Sequence, residues 1–153
     1  ITAFVQKIQF NEKINAVYRH GPAPKMFTSN NQKEEIEIII QEINQFSQSN
    51  FNTMGIICKF QKQADLLHEI LEIGGLKTSL LTDESISFFN GVHITTPWLA
   101  KGLEFDQVIV PFCTPENYST EMDRHLLYVA CTRAMHRLTV TGTGKITSLI
   151  NGE

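Results

Sequence analysis

The sequence predicts an α/β domain, a mostly parallel sheet with helices on both faces. Three observations carry this. The runs Met54-Gly55-Ile56-Ile57-Cys58 and Val108-Ile109-Val110-Pro111-Phe112-Cys113 are continuously apolar rather than alternating, as strands covered on both faces must be. Segments with apolar residues at helical spacing lie between such runs. Strand and helix signals alternate through the middle of the chain, which implies right-handed crossovers between parallel strands. At 153 residues, residues 1–153 read as one domain with a core large enough to fold.

Taken in order, Thr2 to Phe10 reads as a short helix with Phe4, Val5 and Ile8 inward. Gly21-Pro22 and Pro24 mark a connection. Lys25 to Thr28 reads as a short strand. A helix follows over Asn31 to Phe46: Asn30 supplies a cap, Glu34 and Glu35 suit the positive helix start, and Ile36, Ile39, Ile40, Ile43 and Phe46 recur on one face. After the turn Ser47-Gln48-Ser49-Asn50 comes the strand ending at Cys58. The next helix turns Ala64, Leu67, Ile70 and Leu71 inward and stops at Gly74-Gly75, where glycine accepts a left-handed backbone. Strands are predicted at Thr78 to Leu81, Val92 to Thr95, Gln107 to Phe112 and Leu138 to Thr141. Helices are predicted at Asp123 to Met135 and Lys145 to Ile150. No helix signal separates the strands flanking Asp83 to Gly91, so that crossing is irregular.

The formal charge of −3 argues against a domain that embraces nucleic acid over a whole face, so any such contact is local or shared. The longest apolar run is far short of the roughly 18 residues needed to span a bilayer, and no membrane association is expected. Three widely spaced cysteines, Cys58, Cys113 and Cys131, form no CxxC pair and suit a cytoplasmic, reducing compartment; Cys58 and Cys113, in apolar strand-like runs, read as buried thiols. The chain starts at Ile1 without a leader pattern, so it reads as a piece of something longer. The five histidines share no ligand spacing, and no metal site is expected.

Two polar clusters carry the chemistry. In the first, TTPWLAKGLEFD, Thr96 offers a hydroxyl, Trp98 a stacking face, Lys101 a cation and Glu104 an acceptor, while Gly102 lets the backbone come close to a ligand. A threonine and a tryptophan at a strand end suit one nucleotide of a single strand, though the spacing alone favours a tight loop with Trp98 capping the core. In the second, DRHLLYVACTRAMHRLTVT, Leu126, Val129, Ala130 and Arg133 follow helical spacing. Arg133 thus ends an apolar stripe and must find an anion there, either phosphate or an internal carboxylate. Since ligands of parallel sheets sit at the carboxyl ends of strands, both clusters are expected at such ends.

The two segments together resemble the last two signature motifs of superfamily-one helicases of the UvrD/Rep type: KGLEF preceded by threonine, then LxYVxxTRA leading into a strand. The likeness is tight over Val92 to Thr141. It implies the second RecA-like domain of a two-domain motor, a three-layer α/β unit with ATP and Mg held in the cleft against the N-terminal motor domain of the same chain. By residue, it implies that Arg133 is the catalytic arginine reaching the γ-phosphate, where such a group is worth roughly a thousandfold or more in rate. It implies further that Glu104 grips the nucleotide, that Lys101 and Gly102 line the same edge, and that Thr96, Trp98 and Lys59 touch single-stranded DNA. Magnesium ligands are expected on the other motor domain.

Two departures stand out. Trp98 replaces the family's usual histidine, and His125 replaces the second of two usual arginines. The family's accessory insertion is absent between Leu80 and Val92. A phosphate-cradling GxxxxGK(S/T) loop is not found either: Gly142-Thr143-Gly144-Lys145 has Thr139 and Ile146 at the deciding positions and reads as a turn. The isolated chain is therefore expected to turn over no ATP. The short loop, Trp98 and the acidic balance also resemble helicase-IV-like remodelling factors, which implies RNA polymerase as an alternative partner and no strand separation.

Overall fold

Strands that are apolar on both sides need cover on both sides, and the sheet meets that demand. A computed structural model describes residues 1, 4, 22–83 and 89–151. The expected helix over Thr2 to Phe10 and most of the connection to Pro24 fall outside the described residues, although Ile1 and Phe4 pack against the core. The strands are β1 (Lys25–Ser29), β2 (Thr53–Ile57), β3 (Thr78–Leu80), β4 (Gly91–Thr95), β5 (Phe105–Val110) and β6 (Ala134–Thr143). The helices are α1 (Gln32–Ser47), α2 (Gln61–Ile73), α3 (Pro97–Ala100), α4 (Glu121–Thr132) and α5 (Ser148–Asn151). The strands form one sheet in the order β1-β6-β5-β2-β4-β3, and every pairing is parallel. The α/β prediction holds, and the sheet is wholly rather than mostly parallel among the described residues.

Two cores flank it. On one face Ile39, Ile43 and Phe46 of α1 and Ala64, Leu67 and Leu71 of α2 cover Met54, Ile56, Ile94 and Ile109. On the other, Leu127 and Ala130 of α4, Tyr118 and Leu149 cover Ile57, Val108, Val110, Leu138 and Val140. Alternate residues of β2 and β5 thus feed opposite cores, which is why these strands read as unbroken apolar runs. Gly55 marks a close approach: a Cβ there would meet the Phe105 ring at 2.7 Å.

Several boundaries differ from expectation, each for a local reason. Asn31 rather than Asn30 caps α1, its side chain accepting from Glu34 N at 2.9 Å, while Asn30 N–H donates to Glu34 Oε2 at 2.9 Å. Ile36 and Ile40 are only partly buried, and Glu35 and Glu42 lie inward instead, so Glu35 is no solvated first-turn acid. Helix α4 starts at Glu121 and ends at Thr132, not over Asp123 to Met135. Thr120 Oγ1 accepts from Asp123 N at 3.1 Å, and the segment from Ala134 is drawn into the sheet by pairing with Phe105. Strand β5 likewise begins at Phe105 and stops at Val110, after which Phe112 adopts a left-handed backbone with φ 57°. The last helix shrinks to Ser148–Asn151.

Candidate functional site

Because the sheet is parallel, its two edges are chemically distinct, and the two sets of predicted residues separate between them. Glu104 and Arg133 immediately precede β5 and β6, so they stand at the amino edge, against the expectation that both clusters sit at carboxyl ends. They are direct neighbours there. Phe105 pairs with Ala134, and Phe105 N–H donates to the Arg133 carbonyl at 2.9 Å. Lys101 and Gly102 form the exposed turn that leads to Glu104. Gly102 has φ 87°, and nothing lies within 4 Å of where a Cβ would be. A left-handed turn of this kind is one that glycine adopts without strain.

Arg133 caps the C-terminus of α4. It is half-buried rather than sealed in an apolar stripe. Its Nη2 donates to Thr132 Oγ1 at 3.2 Å, and its Nε is buried with no hydrogen-bond partner. Among the described residues no carboxylate pairs with it. Of the two anions open to it on sequence grounds, the internal acid is thus not the one observed. A buried guanidinium N–H without an acceptor is expensive, and the group suits an external oxyanion such as phosphate.

Residues that sequence reasoning missed lie at the start of the same two strands. Asp106 accepts from Asn52 N at 2.8 Å and Thr53 N at 3.0 Å, and its Oδ1 lies 3.9 Å from His136 Nε2. Burial works to raise the Asp106 carboxyl, but the Asn52 and Thr53 donors and His136 outweigh it and hold it below the ordinary range. His136 stacks on Phe51 with ring centroids 5.3 Å apart, and the Arg137 guanidinium lies 4.7 Å over the same ring. The register shift between Phe105 and Gln107, opposite Ala134 and Arg137, marks a bulge that re-aims these side chains. No pattern in the sequence signals it.

At the carboxyl edge, Thr96 and Trp98 follow β4. Thr96 caps α3 without a side-chain capping bond and is only 4% exposed, whereas Trp98 is 65% exposed. Trp98 therefore does not cap the core, and its ring faces solvent. Phe60, which follows β2 at the same edge, is 48% exposed. Lys59 departs from expectation. Its Nζ lies 2.6 Å from Asp123 Oδ1, with side chains 14% and 10% exposed, and also donates to the Asn117 carbonyl. The ammonium is thus engaged by a carboxylate and a carbonyl of the fold rather than free at this edge. Burial works to raise the Asp123 carboxyl, but Lys59 and the Ser119 and Thr120 amides outweigh it, holding it well below the ordinary range.

Further along this edge a cleft of about 120 Å³ opens between α1 and α2, lined by Ile36, Leu66, Ile70 and Phe112 with Gln32, Gln63 and Asn117, well away from Arg133. Gly144 turns the chain after β6 with φ 80°, its N–H donating to the Ser29 carbonyl at 2.7 Å, as expected of a turn and not a phosphate loop. Among the described residues no group of three or more His, Cys, Asp or Glu could hold a metal, and no helix is long and apolar enough to cross a membrane.

Comparison with known proteins adds to this geometry. Residues 61–145 match the family model of the UvrD-like helicase C-terminal domain. The structure resembles the C-terminal domain of a possible DNA helicase from Lactobacillus plantarum WCFS1, with a TM-score of 0.81 and 31% identity, covering 96% of this chain and 86% of that one. It shares its fold with the C-terminal domain of the DEAD-box protein Dbp5, at TM-score 0.53 and 13% identity over 84% of this chain and 79% of that one. It also shares its fold with the Arterivirus nonstructural protein 10 helicase solved with DNA, at TM-score 0.53 and 8% identity, over 78% of this chain and 28% of that one. No curated protein matches the sequence.

Proposed function

Since the chain belongs to the UvrD-like helicase C-terminal domain family, we propose that it is the second motor domain of an ATP-dependent DNA helicase or translocase. In this reading Arg133 reaches across a cleft to the γ-phosphate of ATP held by the N-terminal motor domain. Glu104 grips the nucleotide beside it, and Lys101 and Gly102 shape the same edge. Thr96 and Trp98 meet single-stranded DNA at the opposite edge, the ring stacking on a base. One observation carries the reading: Arg133 and Glu104 are backbone neighbours on one edge, and among the described residues the guanidinium has a buried Nε with no partner and pairs with no carboxylate.

The residues suit ATP in kind. The triphosphate supplies the anion that a half-buried guanidinium lacks, and Arg133 is placed to stabilise charge that develops in transfer. The chain itself holds no phosphate-cradling loop pattern, so alone it turns over no ATP. Magnesium belongs with the facing domain.

The test is steady-state ATP hydrolysis by the protein carrying both motor domains. Arg133→Ala should lower kcat by about a thousandfold while nucleotide binding persists, and Glu104→Gln should mainly raise KM. Turnover within about threefold of wild type for Arg133→Ala, or substantial Arg133-dependent hydrolysis by this chain alone, would refute the assignment.

A further inference from the structure

We propose that the Lys59–Asp123 ion pair is a positioning device: it pins the start of helix α4 sideways to the end of β2 and thereby sets the aim of Arg133 at the helix's far end. The proposal deepens the functional reading above, since the value of that aim rests on it.

Helix α4 packs on β5 and β6 and runs from the carboxyl edge to the amino edge. Its N-terminus needs no lysine to be capped. Thr120 Oγ1 accepts from Asp123 N at 3.1 Å, and Asp123 Oδ2 accepts from Ser119 N at 2.8 Å and Thr120 N at 3.0 Å. Lys59 adds something different in kind. From the end of β2, one strand beyond β5, its Nζ reaches Asp123 Oδ1 at 2.6 Å and the Asn117 carbonyl. Both side chains give up most of their water for this, a cost that stability alone does not require, because an apolar pair of similar size would serve as well or better. What an ion pair adds is a fixed direction.

At its other end the helix is clamped once more, through Phe105 N–H to the Arg133 carbonyl at 2.9 Å. A helix of twelve residues held at both ends has one orientation. Released at Lys59, it pivots about the remaining clamp and re-aims the guanidinium. A misplacement of about 1 Å beside a reacting group can cost about a hundredfold in rate.

The pin also lies where a strand would be felt. The Lys59 ammonium sits 4.8 Å from the centroid of the exposed Phe60 ring and 5.5 Å from that of buried Tyr118. A base stacked on the free face of Phe60 is therefore separated from the ammonium by one ring. The competing route runs through α3, which carries Trp98 and also packs on α4. The two routes differ in whether they need Lys59.

The experiment uses this chain and two readouts: the Arg133 Nε resonance by nitrogen NMR, and amide exchange along α4. Without any ligand, Lys59→Met should displace the Arg133 resonance and speed exchange by about tenfold through Thr132, not only near Thr120. Lys59→Arg should restore both. Leu67→Ala, in the opposite core, lowers stability and should leave the Arg133 resonance in place. An oligothymidylate is then added, with binding followed by fluorescence of Trp98, the only tryptophan. It should move the Arg133 resonance in wild type and not in Lys59→Met, although Trp98 is quenched in both. The proposal is overturned if Lys59→Met affects exchange only at the first turn, or if Leu67→Ala displaces Arg133 equally. An equal response to the oligonucleotide in Lys59→Met also overturns it and favours the α3 route. Failure to quench Trp98 in any variant counts against the strand-binding reading instead, while the ligand-free comparison still decides the pin.

Discussion

Replacing Glu35 by alanine should cost the fold about 2–4 kcal/mol near pH 5, well beyond the roughly 0.3–1 kcal/mol that an acid in an exposed first turn is worth. The side chain is 1% exposed. Its Oε2 accepts from Phe112 N at 3.1 Å and from Thr141 Oγ1 at 3.2 Å, and its Oε1 accepts from Thr143 Oγ1 at 3.3 Å. Truncation leaves the Phe112 N–H and the fully buried Thr141 hydroxyl without an acceptor, at roughly 1–3 kcal/mol for each buried group that finds no substitute. Glu35→Gln keeps the shape and should cost only about 1 kcal/mol. The two variants also separate charge from contact. Burial pushes the Glu35 carboxyl up, and the Phe112, Thr141 and Thr143 donors offset this only in part, so its folded pKa exceeds the unfolded value. A group raised in the folded state contributes stability that is fully present below the unfolded pKa of about 4.3 and is lost as pH rises through the folded value. Urea melts from pH 4 to pH 7 should therefore show wild type losing ground to Glu35→Gln as pH rises. A cost below about 1 kcal/mol for Glu35→Ala, or a wild-type advantage that grows with pH, would refute this account.

Asp123 should show the opposite sign. Its carboxyl is depressed in the fold, so its contribution is present above the unfolded pKa of about 3.9 and disappears as pH falls through the folded value; Asp123→Asn should cost clearly at pH 6 and progressively less toward pH 2 in the same melts. Gly55→Ala should lose about 1–3 kcal/mol in urea melts, because its Cβ would meet the Phe105 ring at 2.7 Å between two packed strands. The three cysteines should resist a thiol reagent at pH 8 in the folded chain and all react after denaturation: Cys58, Cys113 and Cys131 are buried, and burial pushes the Cys131 thiol up to about 12.

The architecture was legible because a parallel sheet forces a visible pattern: strands such as β2 and β5 must satisfy two cores and cannot alternate. What the pattern could not reveal depends on partners distant in sequence. Glu35 and Glu42 look solvated by any polarity rule, yet each sits one turn from Ile39 on the buried stripe. They are welcome there because β6 brings donors beneath them, Thr139 to Glu42 Oε2 at 3.0 Å and Thr141 and Thr143 to Glu35. Lys59 looked like a free basic residue for the same reason, since its acid arrives with α4. The motif spacing brought Glu104 and Arg133 together correctly, but which edge they occupy turned on boundaries. Each motif crosses the sheet from one strand's end to the next strand's start, and with β5 beginning at Phe105 and β6 at Ala134 the motifs' last charged residues stand directly at the amino edge.

That crossing bears on how such a domain would work. A strand of six residues spans about 20 Å, so Trp98 at one edge and Arg133 at the other cannot act on one ligand. Influence between them must pass along elements that cross the sheet, and two do so here. Residues 96–104 begin with Thr96 and end with Glu104; α4 begins near Asp123 and ends at Arg133. At the amino edge the two crossing elements are tied by the bond from Phe105 N–H to the Arg133 carbonyl, whereas at the carboxyl edge they end in separate features, an exposed indole and a buried ion pair. A push at the carboxyl edge therefore meets a common hinge at the amino edge, and Glu104 and Arg133 respond together rather than independently. On this argument Glu104→Gln and Arg133→Ala should be non-additive in kcat/KM in the two-domain protein, while Trp98→Ala combined with Lys59→Met should be closer to additive in strand binding. Additive losses at the amino edge would mean that the hinge does not exist and that the two residues serve the nucleotide separately.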